Sequence, residues 1–372
     1  MDYSKPVSGQ DMVNALGGKN CIVMAANIRI THSARGVMMA AKELDAAVMF
    51  EIARSEIGYT AQNPKQFMDM ITKTAEELEF NQPYAVHGDH ITIKENTPEA
   101  VASAEQLIKD EIAAGFTSYA IDASHNFNMD GKTVAEQLAD NIEITTKLAG
   151  LIPLDAGLEV EVGEVGRTDP KTGKKALTSV EEATTFIKAV TDAGFKPNLL
   201  ATNNGSIHGN IFDKDGNIVE QVGIDIGRTK AIAKAIAPYG VYVAQHGITG
   251  TPLNLMHLLI EAGVFKGNVG TNWQNIALEA MPKDLVAKME EWTLASKHAE
   301  KTKAKKPGIS QKELIAKNIK HSIKEFKTEI DGLPAEAVEK IDAATYQSAI
   351  DFFKAFKAEG TAGKVAEYIE SK

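Results

Sequence analysis

The chain contains a single cysteine, Cys21, among its 372 residues. One cysteine excludes an internal disulfide and any metal site built from several thiolates. The sequence also lacks an apolar run of the roughly 18 residues that a membrane-spanning helix needs, and residues 1–18 do not resemble a signal peptide. We therefore expect a soluble protein of a reducing compartment, the cytoplasm, with no membrane partner.

Basic residues are in deficit. The chain has 40 Lys and Arg against 50 Asp and Glu, a formal net charge of −10, and a pI near 5.5. Because neutralising nucleic-acid phosphates requires a basic face, these numbers argue against nucleic acid as a partner. Hydrophobic residues make up 44% and charged residues 24% of the chain, which is ordinary for a globular protein.

Short apolar runs alternate with amphipathic stretches of three to four helical turns between residues 20 and 270. This alternation predicts parallel strands joined by helices, and eight such units favour a closed (β/α)8 TIM barrel, an α/β fold. The competing open sheet would carry a glycine-rich phosphate loop after an early strand, and no G-x-G-x-x-G follows the first run. The eight predicted strands are Cys21–Ala25, Ala47–Ile52, Tyr84–His87, Ser118–Ile121, Leu158–Val162, Asn198–Ala201, Val241–Ala244 and Gly267–Val269.

Composition changes near Pro282. Residues 283–372 carry 17 lysines, no arginine and 15 acidic residues, so the part before them has a net charge of −12. The C-terminal part is also rich in Ala, Lys, Glu and Leu, which favour helices. We expect a barrel domain over residues 1–282 and a helical extension over residues 283–372, packed on the barrel or on a partner subunit.

Five of the nine histidines lie where predicted strands end, which is where barrel enzymes place their chemistry. His90, His208 and His246 come from three such ends and could converge on one ion, because neutral imidazole is a common ligand for zinc and related metals. A catalytic zinc needs about three protein ligands and one open position. A single histidine of this kind is more often a hydrogen-bonded core residue; three beside glycines at strand ends favour a metal site.

Carboxylates accompany these histidines. Asp89 directly precedes His90 and could move a proton beside a bound metal, or it could orient an imidazole. Asp122 and Glu161 are further candidates for metal ligands or orienting partners. We expect Glu159 to face the helices as a solvated or paired charge.

Glycine-rich segments follow two late strands. Residues 205–209 read Gly-Ser-Ile-His-Gly and residues 247–250 read Gly-Ile-Thr-Gly. Glycines let backbone N–H groups approach a ligand closely, and threonine hydroxyls nearby suit a phosphate. Glycine turns are common at strand ends, so these segments alone are weak evidence.

Taken together, these segments resemble the class II, metal-dependent ketose-bisphosphate aldolases, which include fructose- and tagatose-1,6-bisphosphate aldolases. The resemblance spans about residues 20–280. The matching elements are H-x-D-H at 87–90, G-F-x-S-x-x-I-D at 115–122, E-x-E-x-G at 159–163, G-S-x-H-G at 205–209, H-G-x-[ST]-G at 246–250 and N-x-x-T at 268–271.

The resemblance implies reversible cleavage of fructose 1,6-bisphosphate to dihydroxyacetone phosphate and glyceraldehyde 3-phosphate through a zinc-stabilised ene-diolate. It implies one catalytic Zn²⁺ per subunit, with a monovalent cation, K⁺ or Na⁺, as a further candidate, and a homodimer or larger homo-oligomer. The implied metal ligands are His90, His208 and His246, with Asp122 as a further candidate; Asp89 and Glu161 would be catalytic; the substrate and its phosphate would meet Asn27, Gly209, Gly247, Thr249, Asn268 and Thr271.

The chain departs from the family pattern in three places. Gly270 stands where the last element usually has an acid, the second-strand end lacks the usual Gln and Ser, and the C-terminal helical part is long. Lys320, Lys324 and Arg54 are candidate phosphate contacts. These departures leave tagatose bisphosphate or another ketose 1-phosphate open as the substrate. A metal-dependent hydrolase or isomerase, or a non-catalytic barrel, fits the histidine set less well.

Overall fold

The fold is a closed barrel of eight parallel strands surrounded by helices, in a computed structural model that describes residues 5–163, 176–207, 209–213 and 217–372. The predicted TIM barrel is therefore confirmed. The barrel strands pair in the order β1-β10-β9-β6-β5-β4-β3-β2, and β7 and β8 form a small antiparallel hairpin beside it. The strands are β1 Val23–Asn27, β2 Val48–Ala53, β3 Tyr84–Thr92, β4 Ser118–Asp122, β5 Gly157–Val162, β6 Leu199–Thr202, β7 Ile211–Phe212, β8 Ile218–Val219, β9 Tyr242–Gln245 and β10 Val264–Val269.

Helices cover the outside of the barrel and continue beyond it. In the described residues the α-helices are α1 Gly9–Leu16, α2 Ser33–Glu43, α3 Arg54–Thr60, α4 Pro64–Glu77, α5 Pro98–Ala114, α6 Val134–Ala149, α7 Val180–Asp192, α8 Ile226–Ile236, α9 Met256–Glu261, α10 Thr271–Ala280, α11 Lys283–Ala295, α12 Lys297–Lys305, α13 Gln311–Asn318, α14 Lys327–Asp331, α15 Ala335–Ala355 and α16 Thr361–Glu370. Short 3-10 helices span Ala237–Tyr239, Leu253–Leu255 and Ile319–Ser322. None of the described helices is long and apolar enough to cross a membrane.

Local sequence explains where the helices begin and end. Pro64 and Pro98 occupy first-turn positions, where the missing N–H costs nothing. The side chains of Asn63, Thr97 and Ser179 cap the first turns of α4, α5 and α7 by accepting a backbone N–H. These caps set the residues at which α4, α5 and α7 begin.

The barrel interior is layered. Small and apolar side chains fill its lower part, and α1 closes that end with Met12, Val13 and Leu16. Charged side chains from β2, β3, β5 and β10 form the layer above, just below the mouth. The lower layers are therefore packed core, and ionisable groups are concentrated at the end where strands finish.

The C-terminal helices share the barrel core. Helix α15 packs on α2 and α10, and α16 packs on α1. Phe353 and Phe356 are fully buried in the same apolar cluster as Ile22 and Met24 of the first strand region. The backbone N–H of Ile22 also donates to the Phe356 carbonyl at 2.9 Å. The division of the chain at residue 282 remains a prediction, and the contacts across it are extensive.

Replacing Phe356 with alanine should lower the free energy of unfolding by about 3–5 kcal/mol, because it leaves a ring-sized cavity between the C-terminal helices and the barrel. Urea unfolding followed by circular dichroism measures the change. Leu154, which is 98% exposed, gives the matched control, and Leu154→Ala should change stability by no more than about 0.5 kcal/mol. A loss below about 1 kcal/mol for Phe356→Ala would contradict the shared core.

Candidate active site

A cavity of about 360 Å³ opens at the carboxyl-terminal ends of the barrel strands. Most of the residues that the sequence predicted for the site line it. They are Asn27, Asp89, His90, Asp122, Glu161, Gly209, Gly247, Thr249, Asn268 and Thr271. His246 is buried next to it and reaches His90, whereas His208 lies outside the described residues. The predicted constellation is therefore brought together at one cavity, with the position of His208 untested.

A bulge in β3 turns two successive side chains toward this cavity. The pairing register between β3 and β4 shifts between Gly88 and Ile91, and His90 adopts a left-handed backbone conformation with φ 42°. Such a bulge breaks the alternation that would otherwise send neighbouring side chains to opposite faces. Asp89 and His90 consequently both line the cavity.

His90 and His246 face each other across the cavity floor. His90 Nε2 lies 2.5 Å from His246 Nδ1, and the two rings are nearly perpendicular. The outer nitrogen of each ring meets carboxylates: His246 Nε2 is 2.8 Å from Glu159 Oε1, and His90 Nδ1 is 3.1 Å from Glu161 Oε2. Carboxylates behind imidazoles are the usual support of histidine metal ligands.

Glu159 does not face the helices, so that expectation was wrong. Residues two apart on a strand share a face, and Glu159 therefore shares the barrel interior with Glu161. Its carboxylate contacts both His246 and Lys266, at 2.8 and 2.9 Å. Glu159 is a buried member of the site, holding one imidazole in place.

Lys266 lies fully buried at the centre of the charged layer. Its ammonium is 2.9 Å from Glu51 Oε2, 2.9 Å from Glu159 Oε2 and 3.9 Å from Asp89 Oδ1. Burial alone would lower the pKa of Lys266, but Glu159 and Glu51 raise it above its ordinary value. The ammonium thus stays protonated and compensates several carboxylates.

Asp89 is held between two amides. The Nδ2 groups of Asn27 and Asn268 donate to its two carboxylate oxygens at 3.0 and 3.2 Å. Burial alone would raise the pKa of Asp89, but His90 and Lys266 lower it well below the usual carboxyl range. Asp89 is therefore a fixed, ionised carboxylate beside the histidine pair.

Glu161 and Asp122 lie on the other side of His90. Asp122 Oδ2 is 3.3 Å from His90 Nδ1, and its Oδ1 accepts from the Ser124 hydroxyl at 2.7 Å. Burial and the neighbouring Asp122 raise the pKa of Glu161. Groups that could hold an ion here include Asp89, His90 and His246, and also His90, Asp122 and Glu161. Burial alone would raise the pKa of Asp122, but His90 and the Ser124 hydroxyl lower it below its ordinary value. The pair Glu161–Asp122 thus combines a carboxyl that holds its proton more readily with one that stays ionised.

The basic residues that line the cavity are not the same as the predicted phosphate contacts. Arg54 donates to the Thr92 carbonyl and the Ser103 hydroxyl and does not line the cavity, whereas Arg29 and Lys320 do. Lys324 lines a neighbouring cavity instead. Among the three predicted phosphate contacts, only Lys320 is at the site.

Lys266 and Arg29 belong to the site but not to the predicted set, although the sequence carried a usable signal for each. Lys266 stands in an apolar strand, and it shares its strand face with Asn268, two residues further on. The predicted strand began at Gly267, which left the lysine outside it. Arg29 follows Asn27 at the same two-residue spacing, just beyond the end of β1.

Comparisons with known proteins identify a family to which most of the chain is similar. A family model described as fructose-bisphosphate aldolase class-II matches residues 7–330. A protein from Geobacillus stearothermophilus named fructose-bisphosphate aldolase is 26% identical over 286 residues, covering 76% of this chain and 86% of the relative.

Solved structures share the fold. The YdjI aldolase from Escherichia coli K12 superposes with a TM-score of 0.60 at 18% identity, covering 96% of this chain and 100% of that one. The fructose-bisphosphate aldolase from Campylobacter jejuni gives a TM-score of 0.56 at 16% identity, covering 95% and 94% of the two chains. At these identities the likeness shows the barrel fold and its extent.

Proposed function

Because the chain belongs to the class II fructose-bisphosphate aldolase family, a family of lyases, we propose that it reversibly cleaves fructose 1,6-bisphosphate to dihydroxyacetone phosphate and glyceraldehyde 3-phosphate. One observation carries the proposal: the facing nitrogens of His90 and His246 lie beside an ionised, doubly hydrogen-bonded Asp89. A ketose bound at this point would meet the groups that carbon–carbon cleavage needs.

The donor set fits a divalent metal. The facing nitrogens of His90 and His246 have carboxylates behind their rings, and Asp89 lies within reach of both. Imidazole with oxygen ligands suits Zn²⁺, and we propose zinc with His208 as third ligand and Asp122 as a further candidate. When bound, the ion supplies a Lewis acid that polarises the ketose carbonyl and stabilises negative charge on its oxygens.

Asp89 is the proposed proton-transfer residue. As a carboxylate it can take the proton of the C4 hydroxyl during cleavage and return it in condensation. Asn27 and Asn268 hold its two oxygens in a fixed orientation, so little reorganisation is needed when a substrate arrives.

Glu161 is the second proposed catalytic residue. It lines the cavity, contacts His90 Nδ1, and has a raised pKa. A carboxyl group that holds a proton more readily than usual can donate it to C3, the carbon of the dihydroxyacetone phosphate half whose bond to C4 is broken in cleavage.

The phosphate of the three-carbon ketone is proposed to bind at the glycine-rich loops. Gly209, Gly247, Thr249, Asn268 and Thr271 all line the cavity. Backbone N–H groups and hydroxyls are the donors that cradle phosphates in barrels. Asn27 completes the polar lining, and a monovalent cation near these loops and assembly into a homo-oligomer belong to the same proposal.

A coupled assay of triose-phosphate release tests this function. We expect the highest kcat/KM with fructose 1,6-bisphosphate; tagatose 1,6-bisphosphate and fructose 1-phosphate form the comparison set. The substrate alternatives stay open because Gly270 and the second-strand end, Glu51 to Glu56, differ from the family pattern. Absence of triose phosphate from every ketose phosphate, with Zn²⁺ present, would contradict aldolase activity.

A further inference from the structure

Arg29 is a cavity residue whose guanidinium is held through Nε and Nη1. Its Nε donates to Glu56 at 2.7 Å, and its Nη1 donates to Thr271 Oγ1 and Gln274 Oε1, both at 3.1 Å. Within the part of the chain that the structure describes, none of its recorded hydrogen bonds uses Nη2. The side chain is 15% exposed and lines the active-site cavity.

Gly270 provides the space in which this guanidinium lies. A Cβ built on Gly270 would be 3.1 Å from Arg29 Nη2 and 3.0 Å from Asn27 Cβ. The backbone of Gly270 has φ −127°, which any residue adopts. Gly270 is therefore required because a side chain would collide with Arg29 and Asn27, and not because of its backbone conformation. The position that departs from the family pattern is the position against which Arg29 packs.

Thr271 connects Arg29 with the proposed phosphate loops. The Thr271 hydroxyl oxygen accepts from Arg29 and lies 3.8 Å from where a Cβ of Gly209 would stand. Because its oxygen is engaged by Arg29, the hydroxyl keeps its own proton for a ligand. Thr271 also begins α10, so the positive end of that helix adjoins the same corner.

The charge balance of this corner favours an oxyanion. Glu56 compensates Arg29, and the cavity residue Lys320 adds a further positive charge. Burial and, after it, the nearby charge of Arg29 lower the pKa of Lys320, because two positive charges close together repel each other. A phosphate placed against Nη2 and the Thr271 hydroxyl would relieve that repulsion.

We propose that Arg29 is a specificity-determining residue that binds the phosphate held by the glycine-rich loops, and that Gly270 is the opening that admits its guanidinium. This inference rests on the proposed function, since it assigns a residue to the phosphate of the dihydroxyacetone phosphate half. The ligand chemistry is a phosphomonoester next to a ketone. The competing role is purely structural: a link between the β1 end, α3 and α10.

Arg29→Gln removes the charge, and we measure it in the condensation direction with Zn²⁺ bound, varying each substrate in turn. The KM for dihydroxyacetone phosphate should rise about 10- to 100-fold, as expected for losing charged hydrogen bonds, and that for glyceraldehyde 3-phosphate should change less than about twofold. Arg29→Lys should recover part of the loss. Arg35→Gln is the matched control, because Arg35 pairs with Glu77 and Asp342 away from the cavity; it should leave both values unchanged.

Gly270→Asp tests whether the space beside Gly270 is needed for Arg29 to bind phosphate. Its carboxylate would lie against Nη2 and take its donors, so the KM for dihydroxyacetone phosphate should rise as in Arg29→Gln, while Gly270→Ala should cost only a few-fold. Calorimetric titration with inorganic phosphate gives a readout without turnover, and Arg29→Gln should weaken that binding by the same 10- to 100-fold.

Three results would overturn the inference: a KM rise confined to glyceraldehyde 3-phosphate, an equal rise for both substrates, or unchanged phosphate binding in Arg29→Gln. Failure of the proposed function looks different. There, wild-type protein releases no triose phosphate from any ketose phosphate, and phosphate binding still reports on Arg29.

Discussion

Replacing Asp89 with alanine should lower kcat for fructose 1,6-bisphosphate cleavage by about 10³-fold while the protein still binds Zn²⁺, as general acid–base groups contribute roughly 10²–10⁴-fold. The reason is local. Asp89 is ionised, oriented by Asn27 and Asn268, and adjacent to His90. Steady-state turnover together with zinc content by atomic absorption measures both halves of the prediction.

Asp89→Asn removes the carboxylate that accepts the proton but keeps the size and shape of the side chain. The amide keeps the volume of the side chain, and Asn268, whose Oδ1 makes no hydrogen bond within the described residues, can rotate its own amide to accept from it. Folding and zinc content should therefore match wild type while turnover stays as low as in Asp89→Ala. Asp110→Ala is the control carboxylate, because Asp110 is exposed on α5 and bonds only to Gln106 in the described structure. Turnover near the wild-type rate in Asp89→Asn would remove Asp89 from the proton-transfer role.

The barrel could be predicted because its strands are short, apolar and separated by capped helices. Each of the eight predicted runs overlaps one barrel strand. Errors lie at the ends: the third strand continues from His87 through Thr92, and the eighth begins at Val264 and not at Gly267. Buried charges such as Lys266 and Asp89 sit inside those missed portions, because a strand that ends in a site loses the apolar pattern by which it is recognised.

The site was only partly predictable, for a related reason. His90, Asp89 and the glycine-rich loops stand out because polar residues and glycine at strand ends are unusual. The orientation of Asp89 and His90 depends on a bulge and a left-handed φ at His90, and no local propensity announces that conformation. The contact of Arg29 with Gly270 joins residues 241 positions apart, so it requires the closed barrel.

Removing the divalent metal with a chelator should abolish cleavage, by about 10³-fold or more, and added Zn²⁺ should restore it. A metal that stabilises developing charge contributes several kcal/mol to the transition state, and each 1.36 kcal/mol corresponds to tenfold in rate. Mg²⁺ prefers an all-oxygen set and should restore little through a site built on His90 and His246. The assay is turnover before chelation, after it, and after titration with each metal.

Lysine chemistry is the rival mechanism, and the structure says which lysines to test. A Schiff base needs a neutral amine, and Lys266 is kept charged by Glu51 and Glu159. Lys320 is the stronger rival, because it lines the cavity and its pKa is lowered by burial and Arg29. Borohydride in the presence of dihydroxyacetone phosphate, followed by dialysis, should therefore leave the zinc-loaded wild type and Lys320→Met each with the activity that it had before treatment. If borohydride inactivated the wild type and untreated Lys320→Met had no turnover, Lys320 would be the Schiff-base lysine. If the chelated protein kept its turnover, the metal mechanism would be wrong.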